Sequence, residues 1–452
     1  MCKKGTVLEA VIEETVYPNK GLVYHDGKRI LVHEGLEGQK VRIRITRRRH
    51  GRTEAKILEI LERSPFEQEA YCRQFGSCGG CAYLNVPYAE QLRIKAKQVE
   101  KLLLNAGISG FDFLGIEPSP RTTAYRNKME YTFGDAGDGG LSLGLHRKRM
   151  RYEISPVDGC QLVDGDFLAI LDLVLDYCRD LGLPFYHKKS REGLLRNLVI
   201  RKAHTTGEIL VNLVTTSQAK LDLTKLGTKL ESLALDGEIV GFLHTINDGK
   251  ADAIRADFVN IIFGSSVIVE EILGLRFQIS PFSFFQTNSL GAEKLYTIVR
   301  DFAGSMPGLV LDLYCGTGTI AQIISPLAHK VIGIEIIEEA VAAAKANAQS
   351  NNLDNCSFIA GDVLIELGNL AYKPDLIILD PPRGGVHPKA LEKIMAMEAP
   401  HLVYVSCQPA SLAKDLSVLQ ARGYRATLVM CVDMFPHTPH VETVVKLGYL
   451  PN

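Results

Sequence analysis

The sequence has no apolar run approaching the roughly 18–20 residues that a membrane-spanning helix needs. Its opening residues, MCKKGTVLEA, contain no apolar signal core, so a cytoplasmic protein is expected. Nor is there an excess of charge of either sign. The net charge of −1 leaves bulk composition silent about nucleic acid. With 46% hydrophobic and 23% charged residues the chain has the composition of a soluble globular protein. Its 452 residues are enough for several domains, each with its own core.

The charge is unevenly spread. Lys40, Arg42, Arg44, Arg47, Arg48, Arg49, Arg52 and Lys56 crowd one short window in which Glu54 is the one acid, and Arg147, Lys148, Arg149 and Arg151 form a second run. Residues 1–62 read as a small all-β unit, with strand-like stretches (TVLEAVIEETV, GLVYH, KRILVHE, KVRIRITRR) separated by turn pairs such as Pro18-Asn19 and Asp26-Gly27. In Val41–Ile45 the period of two puts aliphatics on one face and arginines on the other. A solvated charged edge that blocks sheet aggregation is the simpler explanation. The density of basic residues favours instead an OB-like β-barrel that tracks an RNA backbone. The stretch resembles a TRAM domain, an RNA-binding barrel often fused to RNA-modifying enzymes.

Ten cysteines in a cytosolic chain point to metal binding or catalysis rather than disulfides. Cys72, Cys78 and Cys81 lie in a glycine-laced loop, and Cys160 follows far downstream in VDGCQ. Four thiolates suit a [4Fe–4S] cluster or a structural zinc. The three-plus-one spacing favours the iron–sulfur cluster, because zinc ligands usually come as two close pairs. The C-x3-C-x2-C spacing of radical enzymes is missing. Cys2, Cys178, Cys356 and Cys431 have no motif around them and read as ordinary small apolar residues.

Residues 87–107 (PYAEQLRIKAKQVEKLLLNAG) have the periodicity of an amphipathic helix stopped by Gly107. Residues 120–280 then return to strands, with hairpin signals at Asp138-Gly139-Gly140 and Thr205-Thr206-Gly207. A central, mostly antiparallel α+β domain over 63–280 is expected, presenting Arg126, Lys128, Arg147, Lys148, Arg149, Arg196 and Arg201 to a folded RNA.

From residue 281 to 452 strands alternate with helices, the pattern of an α/β unit with a parallel sheet. VLDLYCGTGT (310–319) is a buried strand entering a glycine loop, and VIGIEI (331–336) places Glu335 near the end of the next strand. Gly316 and Gly318 would let backbone approach a nucleotide-like ligand, with Glu335 accepting from its ribose hydroxyls. The same loop fits an NAD-dependent oxidoreductase. LIILDPPR (376–383) ends the fourth strand with Asp380, and LVYVSCQP (402–409) ends the fifth with Cys407. Near the C-terminus, DMFPHTPHVE (433–442) leads into a last strand that begins with Glu442. If that strand runs antiparallel, Glu442 lies at the same rim as Cys407 and Asp380.

Those groups suit one chemistry. Carbon 5 of uracil is too weak a nucleophile to attack a methyl sulfonium. A thiolate adding to carbon 6 makes an enolate that can, and a base must afterwards remove the carbon-5 proton. The set FQTN (285–288), DLYCGTG (312–318), DPPR (380–383), SCQP (406–409) and FPHTPHVE (435–442) resembles the RNA uracil-5 methyltransferase family. The resemblance implies a Rossmann-like C-terminal domain that uses S-adenosyl-L-methionine (SAM). It further implies Cys407 as nucleophile, Glu442 as proton acceptor, and SAM contacts at Gln286, Tyr314, Gly316, Gly318, Glu335 and Asp380. Gln408 stands where many members have Asn. A TRAM-like barrel together with Cys72, Cys78, Cys81 and Cys160 is similar to members acting on 23S ribosomal RNA, with a uridine flipped out of a loop; no obligate protein partner is evident. A transfer-RNA enzyme and a non-catalytic RNA-binding or ribosome-assembly protein are the alternatives. The oxidoreductase reading leaves DPPR and SCQP unexplained.

Overall fold

The computed structural model describes residues 3–49, 51–137, 139–150, 152–250, 256–370 and 373–450. Cys2, Asp138 and Arg151, named above, lie outside the described residues. Among the described residues no helix is long and apolar enough to cross a membrane.

The N-terminal strands form one six-stranded sheet, in the order Val7–Val11, Lys40–Arg49, Arg52–Glu62, Lys28–His33, Lys20–His25, Glu14–Val16. The period of two in Lys40–Arg49 buries Val41, Ile43 and Ile45 with Ile12, Val23, Ile30, Val32 and Ala55. Its outward face is only partly free charge. Arg42 lies 2.9 Å from Glu9 and 2.5 Å from Glu59, and Lys40 lies 3.0 Å from Glu62. Arg44, Arg47 and Arg48 remain exposed.

The central region builds a seven-stranded sheet, running from Ile154–Pro156 through Lys128–Asp135 and Leu195–Lys202 to Phe258–Gly264 at the other edge. Its pairings are antiparallel except for Glu208–Thr215 beside Glu238–Ile246. The helix Gly165–Asp180, capped by Asp164, packs on it. Two of the basic residues expected to face RNA are internal instead. Arg196 donates to the carbonyls of Asn247 and Gly249, and Arg201 to those of Pro281 and Ser283. Both are buried because loop carbonyls, which need donors inside the protein, take up their guanidinium protons.

The C-terminal sheet has eight strands. Cys356–Ala360, Ala328–Glu335, Met306–Leu313, Leu376–Leu379 and His401–Ser406 run parallel, followed by Glu442–Tyr449, Tyr424–Val432 and Asp112–Glu117. Helices cover it and its middle strands are buried on both faces, as β-branched runs such as LVYV require. The helix Tyr88–Asn105 sinks Val99 and Leu103 into the core of this sheet, and Asp112–Glu117 pairs with Tyr424–Val432. Chain from the region expected to be central thus completes the C-terminal layer. Glu442–Tyr449 is antiparallel to His401–Ser406, with Thr443 opposite Ser406.

Candidate active site

That register decides the site. The strand His401–Ser406 ends in Cys407, and its neighbour begins with Glu442, so thiol and carboxyl share one rim. Asp380 and Arg383 follow the adjacent strand Leu376–Leu379 onto the same rim. Each group feels the others. Burial, then the carboxylates of Glu442 and Asp380, push the Cys407 thiol up to about 11, against the pull of Arg383. Burial and Asp380 push Glu442 up to about 8, with Arg383 again opposing, and burial alone lifts Asp380 to about 7. A buried carboxyl with that affinity for protons is a strong base once ionised.

The glycine loop lies beside this rim. Tyr314 has φ of +66° and Gly318 φ of +73°, the latter opening the helix Thr319–Ile324. A Cβ on Gly318 would come within 2.6 Å of the Phe358 ring, so the turn needs glycine for packing as well as for its backbone angle. Both Glu335 oxygens accept backbone N–H groups, from Gly316 at 3.2 Å and Ile337 at 3.0 Å. Asp312 accepts from the Ala321 N–H at 2.9 Å, while its other oxygen is buried without a partner.

Gln286 is buried in a loop that the central sheet grips. Asn127 donates to the Gln286 carbonyl at 3.0 Å and to the Thr287 carbonyl at 2.9 Å. Asn288 caps the helix Ser289–Ala303 and also donates to the Met434 carbonyl at 3.0 Å, which fastens FQTN to the 433–442 loop. That loop is held on its other side by the helix Tyr88–Asn105. Lys95 and Asp433 pair at 2.6 Å with neither side chain exposed, and Lys95 reaches the Phe435 carbonyl. Gln91 brackets His437, accepting from its N–H at 2.8 Å and meeting its Nδ1 at 3.1 Å.

Cys72, Cys78, Cys81 and Cys160 line a single cavity walled mainly by apolar side chains such as Phe75, Leu84 and Leu145. Burial and the neighbouring thiols raise Cys81 to about 12 and raise Cys78 and Cys160 as well. The structure therefore gathers the four cysteines that the spacing singles out. Among the described residues, however, no three His, Cys, Asp or Glu side chains form a group ready to hold a metal ion. The expected cluster has no preformed grip.

Several site residues escape a motif search. Arg383 enters the sequence reading only as the last residue of DPPR, yet its guanidinium is the positive charge beside Cys407 and Glu442. The Lys95–Asp433 pair spans 338 positions, and a lysine in an amphipathic helix reads as solvated. Tyr17, in the turn after the strand Glu14–Val16, donates its hydroxyl to Gln408 Oε1 beside the Cys407 thiol. Nothing near Pro18 signals that reach.

Comparison with known proteins gives the family. The tRNA (uracil-5-)-methyltransferase family matches residues 216–449. A Clostridium tetani protein described as an uncharacterized RNA methyltransferase is 53% identical, covering 98% of both chains. One from Caldanaerobacter subterraneus with the same description is 49% identical, also over 98% of both. Among solved structures, the Pyrococcus abyssi tRNA (uracil-54, C5)-methyltransferase in complex with S-adenosyl-L-homocysteine is similar with a TM-score of 0.77. It is 27% identical and covers 97% of this chain and all of its own. A SAM-using enzyme follows from that company, and the chain belongs to the RNA (uracil-5-)-methyltransferase family.

Proposed function

We propose that the protein transfers the methyl group of SAM to carbon 5 of a uridine in 23S ribosomal RNA through a covalent adduct on Cys407. In this reading the N-terminal sheet (1–62) is an OB-like TRAM module, and residues 63–280 form the central RNA-contacting domain except for the helix Tyr88–Asn105 and the strand Asp112–Glu117, which join residues 281–452 in a Rossmann-like catalytic domain. The observation that carries the chemistry is the pairing of a thiol and a basic, buried carboxyl at adjacent strand ends.

The Cys407 thiolate adds to carbon 6, and the electron pair moves through the ring to make carbon 5 nucleophilic. Carbon 5 then takes the methyl group, releasing S-adenosyl-L-homocysteine. Glu442 removes the carbon-5 proton, the ring electrons return, and the bond to Cys407 breaks. Glu335 is suited to the SAM ribose, since each carboxylate oxygen that accepts one backbone N–H keeps a lone pair for a hydroxyl. Gln286, Tyr314, Gly316, Gly318 and Asp380 would complete the SAM contacts. Arg383 opposes the repulsion between Asp380, Glu442 and a nascent thiolate.

The cavity lined by Cys72, Cys78, Cys81 and Cys160 fits a thiolate-ligated group in its donors and its apolar walls. These residues would hold a [4Fe–4S] cluster, which would stiffen the loop. Zinc without iron in anaerobically purified protein overturns that assignment.

A second reading, a transfer-RNA uridine, is favoured by the Pyrococcus abyssi structure, whose match covers 97% of this chain and so extends well beyond the catalytic region. Radiolabelled SAM and total RNA from a strain lacking the gene decide between them. Label in 23S RNA as 5-methyluridine supports the first and label in transfer RNA the second. No label in either, with active SAM binding, overturns both.

A further inference from the structure

The N-terminal sheet reaches the catalytic rim. Tyr17 sits in the turn between the strands Glu14–Val16 and Lys20–His25. Its ring packs against the core of the C-terminal sheet rather than that of its own. Its hydroxyl donates to Oε1 of Gln408, the residue that follows Cys407 and stands at the N-cap of the helix Pro409–Ala421. The Gln408 backbone is already fixed: its N–H donates to Ser406 Oγ at 3.1 Å and its carbonyl accepts from Ser411 Oγ at 3.0 Å. The side-chain amide is the part left for Tyr17 to hold.

The turn is braced from several sides. Tyr83 donates to the Pro18 carbonyl at 3.1 Å, Gln98 donates to the Thr15 carbonyl at 3.0 Å, and Lys101 pairs with Glu14. Gln91 and Lys95, on the same helix, hold the 433–437 loop. Positions 91, 95 and 98 fall on one face of a helix. One rigid face therefore sets both the loop leading to Glu442 and the turn carrying Tyr17. The phenol also lies within the field of the reacting groups: burial, the charge of Cys407 and that of Glu442 raise it to about 12, so it stays a neutral donor at working pH.

We infer that Tyr17 is a positioning residue for the methyl-transfer reaction: it fixes Gln408 beside the nucleophile, so that the N-terminal sheet completes the active site as well as meeting RNA. The inference rests on the uridine-methylation reading, and its tests separate the two. Tyr17→Phe keeps the ring and removes the donor, and Gln408→Ala removes the acceptor without touching the N-terminal sheet. With saturating SAM and an RNA substrate, each single variant is expected to lower kcat about ten-fold, the effect of about one hydrogen bond, with KM for RNA within about two-fold. The double variant should be no slower than the worse single one, since both changes break one contact.

Alkylation of Cys407 by iodoacetamide, followed by peptide mass spectrometry, needs no RNA. It should run several-fold faster in Tyr17→Phe. A rise in KM at constant kcat, additive losses in the double variant, or wild-type behaviour in both assays overturns the inference. If Tyr17→Phe does not fold, an unchanged kcat in Gln408→Ala has the same force. An RNA-inactive wild type whose Cys407 alkylation still responds to Tyr17→Phe would overturn the substrate reading and leave the contact standing.

Discussion

Replacing Glu442 with Gln keeps the volume and hydrogen-bonding shape of the buried side chain and removes its ability to accept a proton. Glu442 is 3% exposed and burial beside Asp380 raises it to about 8. About one molecule in ten is therefore ionised there at pH 7, and about nine in ten at pH 9. In the proposed mechanism this carboxylate acts after methyl transfer, so the variant should form the adduct, accept the methyl group and then stall. Losing a positioned base slows a step by about 10²–10⁴-fold, or about 3–5 kcal/mol of barrier. A radiolabelled methyl group should then accumulate in a protein–RNA species that survives denaturing electrophoresis. The wild-type release rate should climb between pH 7 and 9 and flatten above, whereas release in the variant should lack that rise. Release of 5-methyluridine by Glu442→Gln at the wild-type rate would refute the assignment, as would stalling before methyl transfer.

Lys95→Met leaves Asp433 buried without its partner and should cost about 3–5 kcal/mol in urea unfolding; Lys95→Met with Asp433→Leu should recover most of that, and additive losses would show the pair is not the cause. Asp312 and Asp380 are raised by burial to about 8 and about 7. Below the unfolded value near 4 both states hold these protons, and above it only the folded state does. Stability should accordingly fall as pH rises from about 4 to 8 and then level off, with Asp380→Asn flattening part of the slope in thermal melts; an unchanged slope would remove Asp380 from the account. Replacing Arg44, Arg47 and Arg48 together with Ser should make log K for RNA less dependent on log salt by about 2, for three lost contacts to a single strand. An unchanged slope would place RNA on another face.

Much of the site is legible because its chemistry is carried by strand ends. LVYVSCQP, LIILDPPR and VLDLYCGTG each couple a β-branched run to a polar stop, and parallel strands necessarily bring such stops to one edge. The antiparallel last strand then adds Glu442 there. What the sequence hides is paired at long range. Arg196 and Arg201 look like surface basics because alternation along a strand does not reveal which face another segment covers. Lys95 looks solvated because its partner is 338 positions away. The four cysteines are a middle case: they line one cavity, but their spacing in the chain does not set how closely the sulfurs approach.

The helix Tyr88–Asn105 shows why domain boundaries drawn from composition mislead in this chain. Its periodicity reports an apolar stripe, and Val99 and Leu103 do lie in the C-terminal core. Its polar side chains do the locating. Gln91 and Lys95 fix the loop before Glu442, and Gln98 and Lys101 fix the strand before Tyr17. A polar residue that satisfies a buried carbonyl loses more when its partner moves than an apolar one sliding on a core, because the orphaned group costs about 1–3 kcal/mol. Apolar contacts thus attach this helix to the sheet, and its amide and ammonium groups set the register at which the N-terminal sheet and the catalytic loop meet. Truncating the chain before residue 63 would then remove Tyr17 and the partners of Gln98 and Lys101, and would damage the catalytic rim as well as RNA affinity.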